Sequence, residues 1–151
     1  MIPEQTLTGL GLTLPKAPAP AANYVPYVRT GNLLFISGQI SQGPKGLIVG
    51  KVGADLDVAA AQEAAKACAL AILAQTKAAI GDLSKVKQVV KLTGFVNSTP
   101  EFTDQPEVIN GASDLFVEVL GDAGRHARAA VSAGALPRGV AVEIDAVIEV
   151  A

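Results

Sequence analysis

The sequence predicts a single α+β domain with the element order β-β-α-β-α-β-β and its helices gathered on one face of the sheet. Three observations carry this. Val140–Val150 alternates strictly: Val140, Val142, Ile144, Ala146 and Ile148 share one face, and Ala141, Glu143, Asp145, Val147 and Glu149 share the other. Between Asp57 and Ile80 runs an unbroken series of strong helix formers, VAAAQEAAKACALAILAQTKAAI. Strand-like stretches flank this run and a second helical pattern, so strand–helix–strand units with right-handed crossovers follow.

The elements justify themselves in order. Residues 1–22 hold four of the nine prolines and little periodicity, which reads as an extended N-terminal arm; residues 23–151 form the domain. Tyr24–Thr30 and Asn32–Ile40 are the first two strands, with Gly31-Asn32 as a tight hairpin turn. Ser41–Val52 is polar and Gly-rich and reads as a loop. Asp57 caps the long helix and Gly81 ends it; Ala60, Ala64, Ala67, Leu70, Ala71 and Leu73/Ala74 form a stripe small enough to sit close on a sheet. Val86–Asn97 is a third strand whose apolar positions do not alternate cleanly, as in a strand covered on both faces or bulged near Gly94. Ser98–Pro106 is a loop, and Glu107–Leu120 a second helix with Val108, Ala112, Leu115, Phe116 and Val119 inward. Ala127–Ala133 and Val140–Val150 close the chain as strands. Helices on one face leave the other face bare, and a bare, largely apolar sheet face points to self-association.

Composition excludes several function classes. No run of eighteen apolar residues occurs, so no membrane span is expected, and the N-terminus lacks the pattern of a signal peptide. One cysteine, Cys68, cannot make an internal disulfide, which suits a reducing cytoplasm; placed mid-helix among Ala and Leu, it reads as a packed thiol. Net charge is −2 and the pI near 5.3, so nothing recruits a polyanion and no nucleic-acid partner is expected. Phosphate-cradling, hydrolase-elbow and zinc motifs are all missing from the sequence. With His126 as the one histidine, a multi-histidine metal site is not expected, and no metal or cofactor is called for. His126 itself reads as a residue leading into a strand.

Chemistry concentrates in the last quarter of the chain. Arg128, Ala130 and Ser132 share a face of their strand, and an Arg among such small residues has little cover of its own. Its planar guanidinium can hold a carboxylate with two parallel hydrogen bonds, and Glu143 on a neighbouring strand can orient or deprotonate a water. The plainer reading is that Arg128 and Glu143 form an ion pair across two strands. Gly38, inside the Ser37-Gly38-Gln39 stretch, marks a close backbone approach to a ligand or another chain.

Several stretches together resemble the Rid family, the reactive intermediate deaminases also called the YjgF family. They are Asn23-Tyr24-Val25, Gly31 through Gln39 (GNLLFISGQ), Val89 through Val96 (VVKLTGFV), Ala127-Arg128-Ala129-Ala130-Val131, and Leu136-Pro137 through Val142-Glu143-Ile144-Asp145-Ala146. The resemblance implies the chorismate mutase-like fold of the trimeric type, a homotrimer joined through the open sheet faces, and three ligand sites in the clefts between subunits. It implies hydrolysis of 2-imino acids such as 2-iminobutanoate and 2-iminopropanoate, or their enamine tautomers, to 2-oxo acids and ammonia. The family's carboxylate-binding Arg falls on Arg128 and its water-positioning Glu on Glu143; Tyr24, Ser37 and Gly38 fall on its substrate-binding positions. The sequence also departs from the family pattern, with His126-Ala127-Arg128 where the archetype has Pro-Ala-Arg and Ala130 in place of a Cys. Two other readings stand beside the deaminase: a trimer that binds small carboxylates or a partner protein without turnover, and an endoribonuclease. The acidic pI, the lone histidine and the lack of an aromatic–basic cluster argue against the last.

Overall fold

The structure is a computed structural model that describes residues 2–20 and 22–151. Its elements are α1 (Pro3–Gly9), β1 (Tyr27–Thr30), β2 (Leu33–Ile40), a small ribbon of β3 (Gln42–Gly43) and β4 (Gly46–Leu47), α2 (Val58–Ile80), β5 (Val86–Asn97), α3 (Gln105–Leu120), β6 (Ala127–Ala133) and β7 (Val142–Val150). The main sheet has the order β1-β2-β7-β5-β6. β5 and β6 are parallel, joined by the crossover through α3, and every other pair is antiparallel. β7 therefore inserts between β2 and β5, and β6 is pushed out to the edge. This is the expected α+β chorismate mutase-like order, with α2 and α3 on one face of the sheet.

Sequence chemistry explains each boundary that matters. Asp57 accepts the Ala60 amide at 2.9 Å and caps α2, and Gly81 ends it at a φ of 83°. Gly31 opens the β1–β2 turn at a φ of 57°, where a side chain would be strained. On β7 the alternation holds: Val142, Ile144, Ala146, Ile148 and Val150 are buried beneath the helices. They meet Ala61, Ala64, Ala65, Cys68, Ala69, Ile72 and Leu73 of α2, and Val108, Ile109, Ala112 and Phe116 of α3, in one core. The sheet-facing stripe of α2 thus centres one position away from the predicted one. α3 approaches α2 so closely that a Cβ on Gly111 would collide with the Gln62 backbone.

Three expectations need correcting. The first residues are not extended: Pro3–Gly9 is a helix whose Pro3 and Leu7 are buried, and Leu12 and Leu14 pack against the core. The Pro18 carbonyl accepts from Gln75 of α2 at 2.8 Å, so this segment lies along the back of α2 rather than standing away from it. Burial on that side is why α2 is enclosed over far more than one stripe, from Ala71 through Thr76. The irregularity of β5 falls between Val86 and Gln88 and between Val89 and Lys91, not at Gly94. Gly94 has another role: a Cβ there would strike the Ile109 side chain. The loop predicted at Ser41–Val52 carries the β3–β4 ribbon.

Cys68 is fully buried, with its Sγ 3.5 Å from the Val142 carbonyl, and burial pushes its thiol far above the ordinary range. Maleimide labelling of the folded protein is therefore expected to be slower than that of the denatured chain by about a hundredfold or more. Equal rates in both states would show that the thiol is open to solvent. No helix is long and apolar enough to cross a membrane among the described residues.

Candidate active site

The open face of the sheet carries the carboxylates. Glu143 is level with Ile40 on one side and Phe95 on the other, and Asp145 is level with Thr93. Both side chains are half-buried. Burial is the main reason the Glu143 carboxyl titrates above its ordinary range, and the neighbouring Asp145 charge adds to it. Asp145 is also raised by burial, with the Thr93 hydroxyl and Lys91 pulling the other way. Glu143 leans over a bulge in β2 where the register slips between Ile36 and Gln39. A Cβ on Gly38 would run into the Glu143 carboxylate, so the glycine is what lets that carboxylate lie against the bulged backbone. Ser37 ties the bulge to the preceding segment, its hydroxyl donating to the Val25 carbonyl at 2.8 Å and its amide to that of Pro26 at 3.0 Å. Tyr24, next in line, is half exposed. Three predicted residues, Glu143, Gly38 and Ser37, thus belong to one neighbourhood, and Tyr24 precedes the Val25 that Ser37 holds.

Arg128 belongs to another. Its register partner on β5 is Leu92, which pairs with Ala146 on β7, and both of those face the helices. The guanidinium accordingly turns to α3, where one Nη1 hydrogen goes to Asn110 Oδ1 at 2.7 Å and the other to Ser113 Oγ at 3.2 Å. Asn110 and Ser113 lie three residues apart on one flank of α3. Ser113 Oγ is also 2.8 Å from His126 Nε2, and His126 Nδ1 is 2.6 Å from the Gly124 carbonyl. Asn110, Ser113 and His126 were not singled out by the sequence as site residues. No local signal marks them, because which flank of α3 meets β6 depends on how the crossover docks.

The ion pair across two strands does not exist. β5 lies between β6 and β7, and Arg128 and Glu143 emerge on opposite faces of the sheet. They are also offset by the three residues from Glu143 to Ala146, about 10 Å along the strands. The guanidinium is not uncovered either, since α3 supplies its cover. Among the described residues the one ion pair is the exposed Arg125–Asp122 contact at 3.4 Å. Two concavities, of about 120 and 280 Å³, lie along the N-terminal segment, and neither is lined by Arg128, Glu143, Ser37, Gly38 or Tyr24. Within one chain these residues form two separate groups: Glu143 with Ser37 and Gly38 on the open face, and Arg128 with its α3 partners at the β6 edge.

A model of the family described as "YjgF/chorismate_mutase-like, putative endoribonuclease" matches residues 4–145. The chain belongs to the YjgF/Rid family. Protein TCP17 of Trypanosoma cruzi is 53% identical over 145 residues, covering 95% of this chain and 91% of that one. The 2-iminobutanoate/2-iminopropanoate deaminase of Escherichia coli K12 is 33% identical over 131 residues, covering 87% and 90%. Among solved structures, that of the protein Atu1372 of Agrobacterium tumefaciens, of unknown function, superposes with a TM-score of 0.92 at 54% identity, over 99% of this chain and 94% of that chain. The structural match to that protein spans nearly the whole fold, and the family model spans residues 4–145.

Proposed function

We propose that this YjgF/Rid protein is a cytoplasmic deaminase of reactive imines and enamines. It hydrolyses 2-iminobutanoate and 2-iminopropanoate to 2-oxo acids and ammonia, as a homotrimer and without cofactor or metal. Arg128 carries the reading: two of its N–H groups are held by α3, and its remaining edge is free to grip a carboxylate. The deaminase activity that names the Escherichia coli relative supports the same substrate class. In this scheme Arg128 anchors the substrate carboxylate. Glu143, whose carboxyl holds its proton to higher pH than usual, takes a proton from water as the oxygen adds to the imine carbon. It then gives that proton to nitrogen, forming the carbinolamine, and moves the hydroxyl proton to nitrogen in the same way; the C–N bond breaks, ammonia leaves, and the carbonyl forms. Tyr24, Ser37 and Gly38 line the Glu143 side.

A site that uses both Arg128 and Glu143 requires a second copy of the chain, because one copy holds them on opposite faces. The open face offers the surface for it: Val28, Phe35 and Val131 are 54, 45 and 45% exposed. Sedimentation is expected to show a trimer. A monomer at all concentrations would remove both the assembly and the shared site. The activity is tested with a pyridoxal-phosphate dehydratase that generates 2-iminobutanoate while semicarbazide traps what survives. Faster loss of trapped imine in the presence of the protein supports the deaminase. Binding of 2-oxobutanoate with no such acceleration would leave a carboxylate-binding trimer instead.

A further inference from the structure

The hydrogen bonds around Arg128 run in one direction. The Gly124 carbonyl can only accept, so His126 carries its proton on Nδ1 and donates there. The neutral imidazole then accepts at Nε2, and the single hydroxyl proton of Ser113 goes to it. That leaves the lone pairs of Ser113 Oγ facing the Arg128 guanidinium. Every group in the series has one assigned role, and reversing any of them breaks a neighbour. The groups facing the imidazole are Ser113 and Phe116 from α3, Gly124 from the turn before β6, and Arg128 from β6; Arg128 is the charged one. Burial, and secondarily that positive charge, hold the imidazole pKa below its ordinary value, so the neutral form this network needs is the one present at neutral pH.

The consequence falls on the other side of the guanidinium. Both Nη1 hydrogens are engaged, whereas Nε and Nη2 make no hydrogen bond among the described residues. The Nε–Nη2 edge presents two parallel N–H groups, the geometry that matches a carboxylate. We propose that Ser113 and His126 are positioning residues: they clamp Arg128 so that its Nε–Nη2 edge, rather than its Nη1–Nη2 end, receives the substrate carboxylate. This rests on the reading of Arg128 as the anchor. It assigns the His126 of His126-Ala127-Arg128 a role through another residue, not a proton-transfer role of its own.

Calorimetry with 2-oxobutanoate on the full chain tests it. Ser113→Ala and His126→Phe are expected to raise Kd about five- to tenfold, because a guanidinium held by Asn110 alone can pivot about that one bond and must be ordered on binding. Ser113→Thr, which keeps the hydroxyl, is expected to stay within about twofold of wild type. On an Arg128→Gln background, Ser113→Ala is expected to change nothing further. Ala is the better helix former, so Ser113→Ala is expected to fold. His126→Phe retains an aromatic ring against Phe116 and gives an independent reading. Wild-type Kd in both Ser113→Ala and His126→Phe, with affinity lost in Arg128→Gln, overturns the positioning role and leaves the anchor standing. Wild-type Kd in Arg128→Gln itself, or no binding by the wild-type protein, overturns the anchor and the positioning role together. A lower melting temperature with unchanged Kd marks a tether between α3 and β6 and nothing more.

Discussion

Glu143→Gln is expected to lower imine turnover by about 10²-fold while 2-oxobutanoate affinity stays within about twofold of wild type. Gln keeps the shape that fits over Gly38 but cannot accept the proton of water. Arg128→Lys is expected to behave differently, weakening affinity and turnover alike, because an ammonium cannot present two parallel N–H groups. pH adds a second signature. In the proposed scheme Glu143 acts as the base in its charged form, and its pKa is raised by burial and by Asp145. Turnover should therefore fall on the acid side at a pH above the ordinary carboxylate range, and that limb should vanish in the Gln variant. Stability has the opposite sign. A raised folded-state pKa means that the protonated form is favoured by folding; its contribution is full below the unfolded pKa and lost as pH rises through the folded one. Glu143→Gln is accordingly expected to melt no lower than wild type at pH 8. A structural ion pair would have required it to melt lower. Unchanged turnover in Glu143→Gln, measured by semicarbazide trapping, would remove Glu143 from the reaction.

Phe116→Ala is expected to cost about 3–5 kcal/mol of stability, the largest effect of any single truncation considered. The ring is completely buried in the core shared by α2, α3 and the sheet. Its edge also meets His126, with ring centroids 6.1 Å apart and planes at 76°. Against a typical total of about 5–15 kcal/mol the loss is severe, and the melting temperature should drop by roughly 10 °C. Because α3 carries Asn110 and Ser113, loosening its seat should also weaken 2-oxobutanoate binding at temperatures where the variant remains folded. A drop of less than about 3 °C would mean that the core closes around the cavity, contrary to the tight packing of α3 against α2 at Gly111.

The residues themselves determined much of this. Alternation along Val142–Val150 dictated which side chains are buried and put Glu143 and Asp145 together on the other face, because a strand's period of two allows nothing else. Asp57 and Gly81 set the ends of α2 through capping chemistry that is local to the chain. Gly38 reads in the sequence as a close approach to a ligand or another chain, whereas in the structure it is the Glu143 carboxylate of the same chain that lies against it. The N-terminal helix was not legible: Pro3–Gly9 is short, and its burial depends on a groove formed by elements far along the chain. Nor was the direction of Arg128. On β6 most residues are small, and polarity alone would turn Val131 rather than Arg128 toward the helices. The structure buries the Arg128 side under α3 and leaves Val131 on the open face, the reverse of what polarity alone would choose. Period two fixes which residues of a strand share a face, but only the docking of the β5–α3–β6 crossover decides which face that is. Local chemistry thus determined the strands and the ends of α2, and tertiary structure alone decided that one chain keeps Arg128 and Glu143 apart.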